Sequence, residues 1–395
     1  MRFWRNNKLK FILSIAVMVL ILAPIVAGCT ATTTQPKGWS GVAITSDKLF
    51  IGSSTGKLVG MEKDTGNRLF NDISLETGSS GGFLGCGAAP ITVAIYGTPV
   101  IVGDTVYVAG YNGKIYPISI VESETDIAPK IGQPYQPELG PQPIVGGLAI
   151  YQNALLFGTA SGYVFSIDIA SRTQNWEPFK TGNKIWATPL VDNGTLYIGS
   201  FDKKLYAIDT STGKEKWHFD AGGAIMNTPV LQNNVLYFGT LDRYFYTVDA
   251  TNGSLIWKSS EMAGKWFWAN PLIVNNVIYA PNMDGKVYVL NAENGQNIIA
   301  PIVIGSPISS SPVLVGNKII LAAEDGKVCS INTDNNTETL LVDLGGNIRI
   351  SSKIKIAAPL SSNQNILYIH GQDNLLYAVN ADTGVIIWSK SLASN

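Results

Sequence analysis

Along most of this chain apolar and polar residues alternate in runs too short for a helix. The clearest run is Thr195-Leu-Tyr-Ile-Gly199, a turn at Asp202, then Leu205-Tyr-Ala-Ile-Asp209, a second turn at Thr212-Gly213, and Trp217. The next stretch repeats it as Val235-Leu-Tyr-Phe-Gly239, Asp242, Phe245-Tyr-Thr-Val-Asp249, Asn252-Gly253 and Trp257. β-Branched and aromatic residues on a period of two, bounded by Gly, Asn and Asp, predict strands of roughly 4–7 residues joined by tight turns. Asn112-Gly113, Asp284-Gly285 and Asp325-Gly326 are such turns. No segment sustains a 3.6-residue period, so helices are not expected.

The pattern recurs along the chain. A proline opens successive copies at 99, 143, 189, 229, 271, 312 and 359, and an eighth copy begins without one at Val42. The spacings are 44, 46, 40, 42, 41 and 47 residues, with 57 from Val42 to Pro99 because 71–97 holds an insertion. A four-stranded unit of about 40–45 residues cannot bury its own faces and must stack on its neighbours, which is the signature of a propeller blade. The expectation is an all-β fold: one eight-bladed β-propeller of four-stranded blades over residues 39–395. Two long loops stand out as places to receive a partner. One is the glycine-rich insertion 71–97, with Phe83, Leu84 and Cys86; the other is a Pro-rich loop, 121–142, with Pro129, Pro134, Pro137 and Pro141 ahead of Pro143.

Composition narrows the class. The chain is 46% hydrophobic and 14% charged, with 40 Gly and 19 Pro, against about 25% charged in an average globular domain. Such a chain is neither a coiled coil nor disordered, and its net charge of −1 leaves no basic footprint for nucleic acid. Arg2, Arg5, Lys8 and Lys10 precede an apolar run at 11–26, the layout of a secretory signal. The run ends in Val26-Ala27-Gly28-Cys29, which resembles the bacterial lipobox. That resemblance implies a signal peptide over 1–28, a lipid on Cys29 as membrane anchor, and a tether over 29–38. Four of the 28 basic residues leave with the signal, so 24 remain against 29 acidic ones. Thr30 follows the cysteine. With two membranes this pattern points to the periplasmic face of the outer membrane; with one, the anchor holds the chain on the outer face of the cytoplasmic membrane. Cys86 and Cys329 are the remaining thiols, and a disulfide between them is open.

The string Leu205-Tyr-Ala-Ile-Asp-x-x-Thr-Gly-x-x-x-Trp217 is similar to the PQQ-type repeat of quinoprotein propellers, the quinoprotein alcohol dehydrogenase-like fold. The resemblance implies that the tryptophan docks flat between neighbouring blades. Trp176, Trp217, Trp257 and Trp388 hold this position, with Phe70 in blade 1, Ile299 in blade 6 and Leu341 in blade 7. Two branches share the repeat. PQQ-dependent dehydrogenases carry an adjacent Cys-Cys pair and a calcium site, and here the three cysteines are scattered at 29, 86 and 329. The lipobox, the length and the eight compact blades look like the B subunits of the outer-membrane β-barrel assembly machine. That implies a non-catalytic scaffold that assists assembly of outer-membrane proteins. Its partners would be envelope proteins such as a barrel-assembly complex, with no nucleic acid, no metal and no cofactor, PQQ included. The alternatives are a PQQ-binding dehydrogenase or sensor, and a surface ligand-binding propeller in a single-membrane bacterium.

Catalytic motifs fail on context. Gly52-Ser-Ser-Thr-Gly56 and Gly78-Ser-Ser-Gly-Gly82 match G-x-S-x-G, but neither lies on the strand-to-helix turn that a nucleophile elbow requires. His218 and His370 are the only histidines and stand four blades apart. One constellation suits binding. Residues just before the opening proline should ring the mouth of the central channel: Tyr96, Lys184, Trp186, Met226, Lys265, Trp266, Trp268, Arg349, Lys353 and Lys355. Tryptophan plates beside cations form a candidate funnel for an extended peptide or an anion.

Overall fold

The computed structural model describes residues 38–76, 93–122, 127–140, 142–345 and 354–393. They form 32 strands in eight four-stranded antiparallel sheets, with no helix. Each sheet is a meander of four consecutive strands, so each blade is built from one local stretch of chain. Blade 1 is Val42–Ile44, Lys48–Gly52, Lys57–Glu62 and Ile73–Ser74; blade 8 is Ser361–Asn363, Ile366–His370, Leu375–Asn380 and Ile386–Ser391. First strands of neighbouring blades touch and are therefore innermost. Connectors between blades and the loops joining second to third strands lie on one face. The first-to-second and third-to-fourth turns lie on the other.

Two expected loops are partly strand. Ile73–Ser74, inside the stretch read as an insertion, is the outer strand of blade 1. Ile127–Ile131, inside the stretch read as a Pro-rich loop, is the outer strand of blade 2, with Pro129 opposite Ile120. A proline is tolerated there because an outermost strand needs its N–H on one side only. Phe83, Leu84, Cys86 and Pro141 lie outside the described residues.

The opening position also shifts in two copies. First strands begin one residue after Pro189, Pro229 and Pro312, but in blade 3 the strand Ala149–Tyr151 follows Leu148 and in blade 8 Ser361–Asn363 follows Leu360. Leu148 and Leu360 are buried in the place of the proline. Pro143 stands five residues earlier, where its carbonyl accepts from Ala160 N–H as that of Lys184 does from Phe201.

Inner strands are stitched by a polar belt. Gly147 N–H donates to Thr188 Oγ1 at 2.7 Å, Thr228 Oγ1 donates to the Thr188 carbonyl at 3.1 Å, and Thr228 N–H donates to Asn270 Oδ1 at 2.8 Å. Asn270 N–H donates to Ser311 Oγ at 3.1 Å, and Ser310 Oγ reaches the Ala358 carbonyl at 2.6 Å. The belt satisfies backbone groups that would otherwise be orphaned where the blades converge.

Outer seams close through the tryptophans. Trp176, Trp217 and Trp257 each lie on the third-to-fourth turn of the following blade and donate Nε1–H to the carbonyls of Thr210, Ala250 and Ala292 at 3.0, 3.1 and 3.0 Å. Trp217, Trp257 and Trp388 stand opposite Ala207, Thr247 and Ala378, each beside a register shift that re-aims the ring. Under each indole is a glycine. A Cβ on Gly213, Gly253, Gly295 or Gly66 would fall 2.4, 2.5, 2.4 and 2.8 Å from Trp176, Trp217, Trp257 and Trp388. Where the preceding blade offers no tryptophan, the same left-handed turn position takes a side chain in two blades: Arg172 in blade 3 and Asn336 in blade 7. Asn336 accepts from Tyr279 Oη at 2.6 Å. Phe70 packs over Gly60 of its own blade and joins the cluster shared by blades 1 and 2. At the seam of blades 7 and 8 the backbone of Leu341 crosses Gly384.

The seam that closes the ring reverses a size pairing. At four other seams a glycine at the end of the second strand receives a bulky residue from the next connector: Gly52 under Ile95, Gly158 under Ile185, Gly199 under Ile225, Gly239 under Phe267. At closure the strand ends in His370, and the position corresponding to the bulky connector residue is Gly38. His370 is 4% exposed, and its Nδ1 pairs with the Ser40 carbonyl at 2.8 Å. Burial lowers its pKa, so the neutral ring donates Nδ1–H there. Ser361 Oγ donates to the Val42 carbonyl at 2.8 Å, and Trp388, Tyr368 and Leu376 pack with Leu49, Val59 and Met61.

Candidate binding site at the channel mouth

The connectors supply the mouth. In each, a buried residue is followed by the position expected at the channel mouth. That ring reads Trp39, Tyr96, Val145, Trp186, Met226, Trp268, Ser309 and Ala357 from blade 1 to blade 8. Just before the buried residue stand Lys184, Trp266 and Lys355 in blades 4, 6 and 8. Their carbonyls accept from Phe201, Met283 and Gln372 N–H at 3.0, 3.2 and 2.8 Å, which fixes each second-to-third loop against its connector.

A second lock holds these loops. Tyr206, Tyr246, Tyr288 and Tyr377 donate their hydroxyls to Asp202, Asp242, Asp284 and Asp373 at 2.8, 2.6, 2.7 and 2.6 Å. Asp202 and Asp284 also accept from connector amides of Gly182 and Gly264, at 2.6 and 3.2 Å. Burial, then the neighbouring carboxylate, pushes the Tyr206 and Tyr377 phenols well above their usual range, and Tyr288 up to about 12. The phenols stay protonated and the loops stay rigid.

Of the sequence-predicted funnel residues, Trp186 and Trp268 come together, with ring centroids 6.2 Å apart. Met226 lies on the intervening connector and is 8% exposed. Phe201 meets Trp186 edge-on at 4.8 Å, and Lys184 Nζ sits 4.5 Å and 4.3 Å from the Trp186 and Phe201 centroids. Tyr96 forms a separate cluster with Trp39 and Tyr111, at 4.5 and 5.4 Å. Lys265 and Trp266 are exposed, and Lys355 pairs with Glu324 at 3.7 Å. Arg349, Lys353 and the expected anchor Cys29 lie outside the described residues.

Sequence reasoning missed the loop ring: Tyr111, Ala160, Phe201, Leu241 and Met283 in blades 2–6, then Glu324 and Gln372 in blades 7 and 8. The signal was present as a variable column two residues after the second strand. Together the rings carry aromatic and aliphatic side chains across blades 2–6, where blades 7 and 8 carry Ser309, Glu324, Ala357 and Gln372. A groove of about 980 Å³ at the outer seam of blades 8, 1 and 2, lined by Arg68, Asp72 and Lys390, shares no residue with this mouth.

Other candidate chemistry does not converge. Among the described residues no three His, Cys, Asp or Glu cluster as a metal site. His218 lies on an outer strand between Glu215 at 2.7 Å and Lys204 at 3.1 Å. Cys329 is buried and free, its thiol pushed up to about 12 mainly by burial.

Eight local four-stranded meanders, capped Asp turns and tryptophan-on-glycine seams define an eight-bladed propeller of the PQQ-repeat class. The chain belongs to the outer membrane protein assembly factor BamB family, whose pattern matches residues 31–178 and 160–300. It is 30% identical over 122 residues to the outer membrane protein assembly factor BamB of Burkholderia pseudomallei; that alignment spans 31% of this chain and 29% of the relative's length. Its fold is similar to that of BamB from Moraxella catarrhalis, with a TM-score of 0.61 and 20% identity over 87% of this chain and 94% of that one. It is also similar to the computationally designed Ika8 protein, with a TM-score of 0.65 and 17% identity over 85% and 94% of the two chains.

Proposed function

We propose that this chain is a non-catalytic scaffold on the extracytoplasmic side of a bacterial envelope that helps assemble outer-membrane proteins by holding other polypeptides. The family match across 31–300 carries this reading. The channel mouth supports it: locked loops present an aromatic surface, and the fold surrounds it with rigid walls. In this reading Cys29 bears the lipid anchor, the partners are envelope proteins of a barrel-assembly complex, and neither PQQ nor a metal takes part. The test is purification of the full-length protein from its native membranes in mild detergent, followed by mass spectrometry. Co-purification of a barrel-assembly protein is expected, as is loss of membrane attachment in Cys29→Ala. Recovery with redox proteins, together with saturable PQQ binding, would overturn the reading.

A further inference from the structure

We propose that the aromatic half of the channel mouth binds an extended polypeptide segment in which carboxylates stand two residues to either side of an aromatic side chain. This rests on the reading that the chain holds other polypeptides, and it assigns the site and the chemistry of what is held.

Three observations point to this ligand. The first is asymmetry. Trp186, Phe201, Met226, Leu241, Trp268 and Met283 occupy positions that blades 7 and 8 fill with Ser309, Glu324, Ala357 and Gln372. Trp186 packs on both Phe201 and Trp268, so this aromatic surface is already assembled.

The second is unpaired polarity. Trp186 Nε1–H is buried with no acceptor, and Asn227 Oδ1, on the next connector, is buried with no donor. Asn227 is 1% exposed and uses its Nδ2 on the Gly239 carbonyl at 3.0 Å. The chain itself thus leaves one donor and one acceptor on adjacent connectors of this half of the mouth unsatisfied.

The third is charge. Lys203, Arg243 and Lys265 are exposed around this half of the mouth and form no ion pair among the described residues. The carboxylates there are engaged: Asp202, Asp242 and Asp284 each hold a tyrosine hydroxyl. These carboxylates keep their charge, so Lys184, Lys203, Arg243 and Lys265 outnumber Asp202, Asp242 and Asp284 by one, and the exposed charges among them are the cations Lys203, Arg243 and Lys265. In an extended peptide, residues two apart share a face about 6.5–7 Å apart. With an aromatic ring on Trp268, carboxylates at the second residue to either side share its face and meet the cations Lys265, Lys203 and Arg243.

Fluorescence anisotropy with the full-length protein in detergent tests this. The probe is a fluorescein-labelled peptide with glutamate and phenylalanine taking turns at every second position and serine between them, beside one with lysine for glutamate and one with alanine for phenylalanine. Saturable micromolar binding of the first is expected, weakening with salt, with both counterparts at least tenfold weaker. Lys265→Glu should weaken it at least fivefold without moving the thermal midpoint, and Trp186→Phe, which keeps a ring and removes the donor, severalfold. Equal affinity for the acidic and basic peptides, no saturable binding, or unchanged affinity in both variants would overturn the inference. Partner recovery from native membranes is read separately, so a mouth that binds no peptide beside an intact complex fails this inference alone.

Discussion

Gly253→Ala isolates the seam between blades 4 and 5. Gly253 has φ +73, and a Cβ there would lie 2.5 Å from Trp217 Cε3. Two costs follow. Placing an L side chain in the left-handed region costs about 1–2 kcal/mol, and forcing a methyl group into a packed indole costs about 1–3 kcal/mol. The expected loss is about 2–5 kcal/mol. Gly316 is the internal control: its φ is +58 and nothing lies within 4 Å of its Cβ position. Gly316→Ala should therefore lose only the backbone share. Removing the indole as well completes a cycle. Trp217→Ala alone should cost about 3–5 kcal/mol. Adding Gly253→Ala to it should then cost no more than Gly316→Ala does. Urea unfolding followed by far-UV circular dichroism is the assay, because the fluorescence signal changes with the tryptophan. At this size a thermal midpoint moves only about 1–2 °C per kcal/mol. Equal losses for Gly253→Ala and Gly316→Ala, or an unchanged Gly253→Ala cost without Trp217, would refute the pairing of ring and glycine.

Other expectations follow from single sites. His370 is held neutral by burial and faces Ser40 and Asp373. The unfolded chain takes up a proton below about pH 6.5 while the folded one resists. Stability should therefore be full above that pH and fall below it, and in His370→Gln urea midpoints measured from pH 7.5 to 5.5 should lose that slope. Tyr206→Phe leaves the partly buried Asp202 without its phenol donor, and a loss of about 1–3 kcal/mol is expected in urea unfolding. Asp209, lowered to about 2 chiefly by the Ser211 hydroxyl, is half-buried at the surface. Asp209→Asn should change stability by less than about 1 kcal/mol at pH 7, with any loss in the parent appearing only as pH falls from about 4 toward 2. Cys329 should react with Ellman's reagent only on unfolding.

The blade count was legible because each copy repeats strand, turn and strand within about 45 residues, and local meanders need no long-range pairing to be recognised. The docking tryptophans were legible for the same reason, and Gly213 and Gly253 stood beside them in the motif. Their coupling across the seam was not, since each glycine serves the tryptophan of the preceding blade. Pro143 and Pro359 misled the register because a proline suits any extended connector, so its side chain alone does not mark which residue fills the buried slot. Ile127–Ile131 was hidden by Pro129, which an outermost strand accepts. The funnel reading found Trp186 and Trp268 but not Phe201, because its neighbours Asp202 and Lys203 make that loop read as a solvated turn. His370 read as an isolated histidine; only the fold sets it against Ser40 at the closing seam.

The central claim is that this ring holds other polypeptides at its mouth. Site-specific photocrosslinking in native membranes tests it most directly, with the photoreactive residue at Leu241 or Met283 on the mouth and at Lys216 on an outer strand. The account predicts crosslinks to envelope polypeptides from the mouth positions and none from Lys216. Crosslinks from Lys216 with none from Leu241 or Met283 would contradict it.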